Sequence, residues 1–248
     1  MRTSKTTNRR NSWILISVFS LITLTSFYGR AAGGTSPTGI ITERLSVRQM
    51  EIWRTIEQKA LAQNAAGQPL YPTLQELFSW AKMTSFPIYI EMPEARDLWD
   101  CAAGTFLFEK PQAPAQSQPT AVTILLRVAV IDRAAGERTA GEHGFVPFEG
   151  LKGVDRYCEA LAHELTHARQ SVTDLEFLQL ADRRKSLNDE SVRFQLLRRT
   201  AETRQSATRG LQAIADELRL LTERIEGPAR AVEQQVWREL RARRDKDC

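Results

Sequence analysis

Cysteine and histidine are both scarce in this chain of 248 residues, at three copies each. Cys101, Cys158 and Cys248 form no C-x-x-C pair, which leaves no basis for a zinc site built from thiolates. Internal repeats are absent, which argues against a stacked array. Positive charge is thin once its location is considered. Lys+Arg number 34 against 30 Asp+Glu, but residues 1–31 hold Arg2, Lys5, Arg9, Arg10 and Arg30 and no acidic side chain. The remainder carries 29 basic against 30 acidic side chains. The pI of 9.1 therefore reflects the first residues and is no footprint for nucleic acid, so no nucleic-acid partner is expected.

Long apolar runs are missing except at the start. Arg2, Lys5, Arg9 and Arg10 precede an uncharged stretch, Asn11 to Gly29, rich in Ile, Leu, Val and Phe, and Gly29-Arg30-Ala31 follows. A basic segment, an apolar segment and then small residues form the pattern of an export signal. The 16 residues from Trp13 to Tyr28 would span about 24 Å as helix, short of the ~30 Å hydrocarbon core. Residues 1–31 are expected to be an export signal, with an uncleaved N-terminal anchor as the alternative. The rest of the chain is expected in the periplasm or secreted, touching a membrane only through that segment. In an oxidising compartment Cys101 and Cys158 either pair as a disulfide or act as two buried small hydrophobes, and Cys248 is left free.

Past the leader, residues 32–45 are rich in Gly, Thr, Ser and Pro and read as a flexible stem. Helices are expected at about 46–63, with Val47, Met50, Trp53, Ile56 and Ala60 on one face, and at about 73–83. Strands are expected at Ile88–Ile90, Thr105–Phe108 and along the apolar run Val122–Ile131, with Lys110–Pro119 as a Pro- and Gln-rich loop. From Ser186 to Ile225 apolar residues keep helical spacing through a charged background (Phe194, Leu197, Ala201, Leu211, Ile214, Leu218, Leu221, Ile225). This predicts a long helix or a coiled-coil hairpin at 184–225, an arm that carries the chain back to the core, binds a partner or self-associates. Arg183, Arg184, Arg198 and Arg199 are read as its solvated face.

What is present is one run with direct chemical meaning, Ala162-His163-Glu164-Leu165-Thr166-His167-Ala168. Val154, Cys158, Leu161, Leu165 and Ala168 around it recur at helical spacing and predict one buried helix face. On that helix His163 and His167 stand one above the other, flanking the stripe, where both imidazoles reach one metal ion. Glu164 points beside the metal and is the candidate catalytic base. A zinc site of this kind needs a third protein ligand, and Asp174, Glu176, Glu190, Glu202, Glu226 and Glu233 all lie downstream.

Leu161–Gln170 resembles the active-site helix of the gluzincin metallopeptidases. In that group the third ligand is often the glutamate of a later E-G-x-A segment that opens a second helix. Here Glu226-Gly227-Pro228-Ala229 matches it. The resemblance implies Zn2+ held by His163, His167 and Glu226, with Glu233 next in line, and Pro228 in the first turn of a C-terminal helix at 226–248. It also implies an α+β, zincin-like catalytic core at 46–183, in which a small antiparallel or mixed sheet packs on the metal-binding helix. A peptide or protein substrate would pair with an edge strand. The activity implied is that of an exported zinc metallopeptidase. Two other readings stay open: a zinc-containing, non-catalytic binding module acting through the arm, and a helical envelope protein with no metal. His143, Tyr157 and Arg230 are candidates to stabilise an oxyanion, each with a plainer structural role available.

Overall fold

A computed structural model of the chain describes residues 38–94, 104–109, 119–133, 148–197 and 201–247. Residues 1–31, read above as an export signal, Cys101, residues 110–118 of the expected loop, His143, Arg198, Arg199 and Cys248 lie outside these residues. The order is β1 (Gly39–Ile41), α1 (Val47–Ala60), α2 (Pro72–Met83), β2 (Pro87–Glu91), β3 (Gly104–Glu109), β4 (Ala121–Leu126), α3 (Val128–Arg133), α4 (Val154–Thr173), α5 (Leu175–Leu197) and α6 (Ala201–Asp247). The class is α+β: mostly helix, with a small mixed sheet and a long C-terminal helix.

The sheet runs β1-β2-β4-β3. β1, β2 and β4 are parallel, and β3 pairs antiparallel with β4 at one edge, Gly104 opposite Leu126 and Thr105 opposite Leu125. Ile88 and Ile90 stand opposite Val122 and Ile124, and all four are fully buried. Each such side chain contributes about 1.5–3 kcal/mol on burial.

Three expectations are corrected here. The stem at 32–45 is not all linker, because Gly39–Ile41 adds a parallel strand to β2. Glycine 39 takes φ 71, and its missing Cβ would stand 2.6 Å from the carbonyl oxygen of Lys82, so only glycine lets the chain enter there. The apolar run 122–131 is not one strand. It ends at Leu126 and turns into α3, with the Val130 and Ile131 N–H groups donating to the Arg127 carbonyl. A fully apolar run carries no period, so strand and buried helix look alike in it. Val47 is 81% exposed, and the buried face of α1 is Trp53, Ile56 and Ala60.

The helices around the sheet are anchored by specific caps. Ser46 and Gln49 form a capping box at the start of α1. Tyr71 gives α2 no side-chain cap, and its first turn is satisfied from far away: the Thr73 N–H and hydroxyl donate to the Glu239 carboxylate of α6, the hydroxyl at 2.6 Å. Helix α4 lies at the centre, against α1, α2, α3, α5, α6, β3 and β4. It is therefore buried on nearly every side, beyond the single stripe expected, and Tyr157, Ala160, Ala162 and Thr166 are all covered. Its approach is set by Phe148, at φ 64, whose N–H donates to both oxygens of the buried Glu159.

Asp174 separates α4 from α5 by capping the latter, accepting from the N–H groups of Glu176 and Phe177. α5 and α6 then pack antiparallel. Arg183 pairs with Glu217, Arg224 with Glu176, and the Phe194 ring covers Gly210, where a Cβ would sit 2.8 Å from the ring. Leu187, Ile214 and Leu221 form the inner seam.

Glu226-Gly227-Pro228-Ala229 does not open a helix: it lies inside α6, which runs unbroken through it. Proline in a helix interior loses one hydrogen bond, and its ring crowds the Cβ of the preceding residue. That preceding residue is Gly227, which has no Cβ, and both residues face solvent. A Cβ at Gly227 would itself meet nothing within 4 Å, so relief of the Pro228 ring is the physical account of glycine there.

Candidate metal centre

The helical spacing of His163 and His167 turns both rings toward one point, and α6 brings Glu226 to the same point. His163 Nε2 lies 3.1 Å from His167 Nε2, and Glu226 Oε2 lies 3.3 and 3.2 Å from these two nitrogens. The three contacts form a nearly equilateral triangle of donor atoms. His167 and Glu226 are buried, and His163 is the most open of the three, with its side chain 17% exposed.

Each member has a partner on its far side. His163 Nδ1 faces Glu233 Oε2 at 3.0 Å, about two helical turns along α6 from Glu226. His167 Nδ1 faces Gln170 Oε1 at 3.3 Å, and the Phe177 ring stacks on the His167 imidazole at 5.7 Å. Arg184 on α5 donates from Nη1 to Glu226 Oε1 at 2.9 Å. Acceptors on both Nδ1 atoms fix the ring orientations and turn each Nε2 inward, toward Glu226 Oε2. Two ring nitrogens and a carboxylate oxygen this close need a cation among them, either a proton or a metal ion.

The geometry suits a metal ion. Ligand atoms around a tetrahedral zinc with bonds of about 2.0 Å stand about 3.3 Å apart, close to the three separations here. His163, His167 and Glu226 could therefore hold one. In the metal-free chain that cation is a proton on His163. Burial alone would lower the His163 pKa, yet the Glu226 and Glu233 carboxylates hold it well above the usual imidazole value. Burial would raise Glu226, but hydrogen bonds from both histidines hold it well below the usual carboxylate value.

Glu164 stands beside this triangle, buried, and has no place in it. Burial pushes its pKa up, against the lowering effect of His163 and His167. Gly104, the first residue of edge strand β3, lies flush against it. A Cβ at Gly104 would fall 2.4 Å from Glu164 Oε1 and 2.7 Å from its Cγ.

Among the described residues, Glu226 and Glu233 are the downstream carboxylates placed within 3.5 Å of a ring nitrogen of His163 or His167. Asp174 caps α5, Glu176 pairs with Arg224, and Glu190 is exposed on α5. Glu202 has no described side chain. Glu233 faces the outer nitrogen of His163, away from the triangle. Tyr157 donates to Asp132 Oδ1 at 2.9 Å, and Arg230 is exposed. Arg184 corrects the sequence reading: it does not belong to a solvated face but reaches inward, its side chain 15% exposed. No sequence signal distinguished it from Arg183 beside it, which is exposed and pairs with Glu217. Cys158 is a fully buried free thiol, its pKa pushed up to about 12 by burial.

No protein-family model, curated protein or solved structure matches this chain. Among the described residues no helix is long and apolar enough to cross a membrane.

Proposed function

We propose that this chain is a zinc-dependent metallopeptidase of the gluzincin type, with Zn2+ held by His163, His167 and Glu226. The observation that carries the reading is the triangle of His163 Nε2, His167 Nε2 and Glu226 Oε2, at 3.1, 3.2 and 3.3 Å. Outer hydrogen bonds to both Nδ1 atoms add support, because metal-binding histidines are ordinarily fixed in this way. Held by these three residues, zinc would supply Lewis acidity toward a peptide carbonyl and the attacking water near neutral pH.

Glu164 accepts the proton of the attacking water and delivers it to the leaving amine. Its burial favours this role, since a carboxylate pushed upward in pKa is a stronger base. Strand β3 supplies the second half of the reading. Among the described residues it is a sheet edge, antiparallel to β4, and its first residue touches Glu164. An extended peptide paired along β3 would lie across the mouth of the centre, as in a zincin-like core. The basic-then-apolar pattern of residues 1–31 supports a periplasmic or extracellular location for this activity.

The test is hydrolysis of a mixed-sequence peptide library by the purified chain beside Glu164→Gln. Cleavage by the wild type and a loss of about 10²- to 10⁴-fold in the variant, with zinc retained in both, is the expected result. Equal rates would remove Glu164 from the mechanism. Zinc without cleavage of any peptide would favour the non-catalytic binding module.

A further inference from the structure

Arg184 sits on the arm, yet its guanidinium works on the centre. Glu226 divides its two oxygens: Oε2 faces His163 and His167, and Oε1 receives Arg184 Nη1 at 2.9 Å. Both side chains are largely enclosed, 15% and 8% exposed. The neighbouring ion pair, Arg183 with Glu217, is about half exposed and contributes little to anything but the hairpin surface. The same helix α5 also lays Phe177 against the His167 ring. One face of α5 therefore touches two of the three residues of the triangle.

A carboxylate can bind zinc through one oxygen or through both. If both bind, the second oxygen joins the two histidines and the water as a fifth ligand and occupies the position that a substrate carbonyl would enter. A charge-assisted hydrogen bond on Oε1 opposes this, because that oxygen is committed to the guanidinium. We infer that Arg184 is a positioning residue that holds Glu226 to single-oxygen ligation and so keeps one metal position open. The inference rests on the metal reading above. Arg184 touches neither the triangle's histidines nor Glu164 in any contact described, and acts through Glu226.

The test uses the full chain loaded with cobalt(II), whose visible absorption reports coordination number, in wild type, Arg184→Met, Arg184→Gln, Arg184→Lys and Arg183→Met. The wild type and Arg183→Met give the intense bands of four-coordinate cobalt. Arg184→Met gives weaker, five-coordinate bands, about a twofold or larger fall in intensity, and Arg184→Lys restores most of it. Arg184→Gln, the gentler change should the methionine variant misfold, shows the same fall. Four-coordinate bands of unchanged intensity in both neutral variants would overturn the role of Arg184 and leave the metal centre standing. No cobalt or zinc bound by the folded wild type would overturn the metal reading itself, and this inference with it. A merely structural arginine would alter stability without altering the bands.

Discussion

Glu233 Oε2 lies 3.0 Å from Nδ1 of His163, on the side of the ring turned away from Glu226 and His167. That one contact separates the two glutamates of α6 that the sequence left in competition. Glu226 reaches the inner nitrogens of both histidines, and Glu233 reaches only the outer nitrogen of one. Glu233→Ala is therefore expected to weaken zinc binding by about 10- to 100-fold without abolishing it. Glu226→Ala is expected to lose the metal at the same chelator concentration. Competition against a colorimetric zinc chelator measures both, and the reverse order would make Glu233 the ligand.

In the metal-free chain the same contacts set a pH dependence. His163 is raised above its ordinary value of 6.5 by the two carboxylates, so its contribution is whole below about pH 6.5 and is lost as pH rises through the raised folded value. Glu226 is lowered below 4.5, so its contribution is whole above about pH 4.5 and is lost as pH falls through the depressed folded value. Urea unfolding of the chelated protein should show the combined contribution largest between about pH 4.5 and 6.5. Zinc binding must displace the His163 proton, so zinc affinity falls as pH is lowered. A zinc affinity independent of pH between 5 and 8 would contradict the pairing of His163 with these glutamates.

Gly104→Ala probes the contact between edge strand and base. The added methyl would stand 2.4 Å from Glu164 Oε1, so either β3 or the carboxylate must shift. Overpacking of this kind costs about 1–3 kcal/mol. The expected outcome is a destabilised chain with undiminished zinc content and impaired hydrolysis. Unaltered stability would mean that β3 does not sit on Glu164.

Cys158 is wholly buried, with its thiol pKa pushed up to about 12. It should resist a thiol reagent at pH 8 in the folded chain and react fully once unfolded in guanidinium without reductant. Failure to react after unfolding would reveal a disulfide.

The legible part of this molecule is the part that depends on local spacing. The i and i+4 placement of His163 and His167, with Glu164 between, requires only that residues 154–173 be helical, and the apolar recurrence states that. Glu226 needed resemblance, because no local rule brings residue 226 to residue 163. Its setting was misread, since E-G-P-A looks like a helix start when Pro228 is weighed without the relief that Gly227 gives its ring. Arg184 was illegible: which of Arg183 and Arg184 turns inward depends on how α5 rolls on α6, settled by Leu187, Ile214 and Leu221 far from the site. The strand at Gly39–Ile41 was hidden because its partner, β2, lies more than 40 residues along the chain.

The most direct measurement is the zinc content of the purified chain, by mass spectrometry of the metal, beside His163→Ala, Glu226→Ala and Glu233→Ala. One zinc per wild-type chain, lost in His163→Ala and Glu226→Ala and kept in Glu233→Ala at zinc levels well above its dissociation constant, is the predicted result. A folded wild-type chain without zinc, or one that loses zinc in Glu233→Ala and keeps it in Glu226→Ala, would contradict the centre described here.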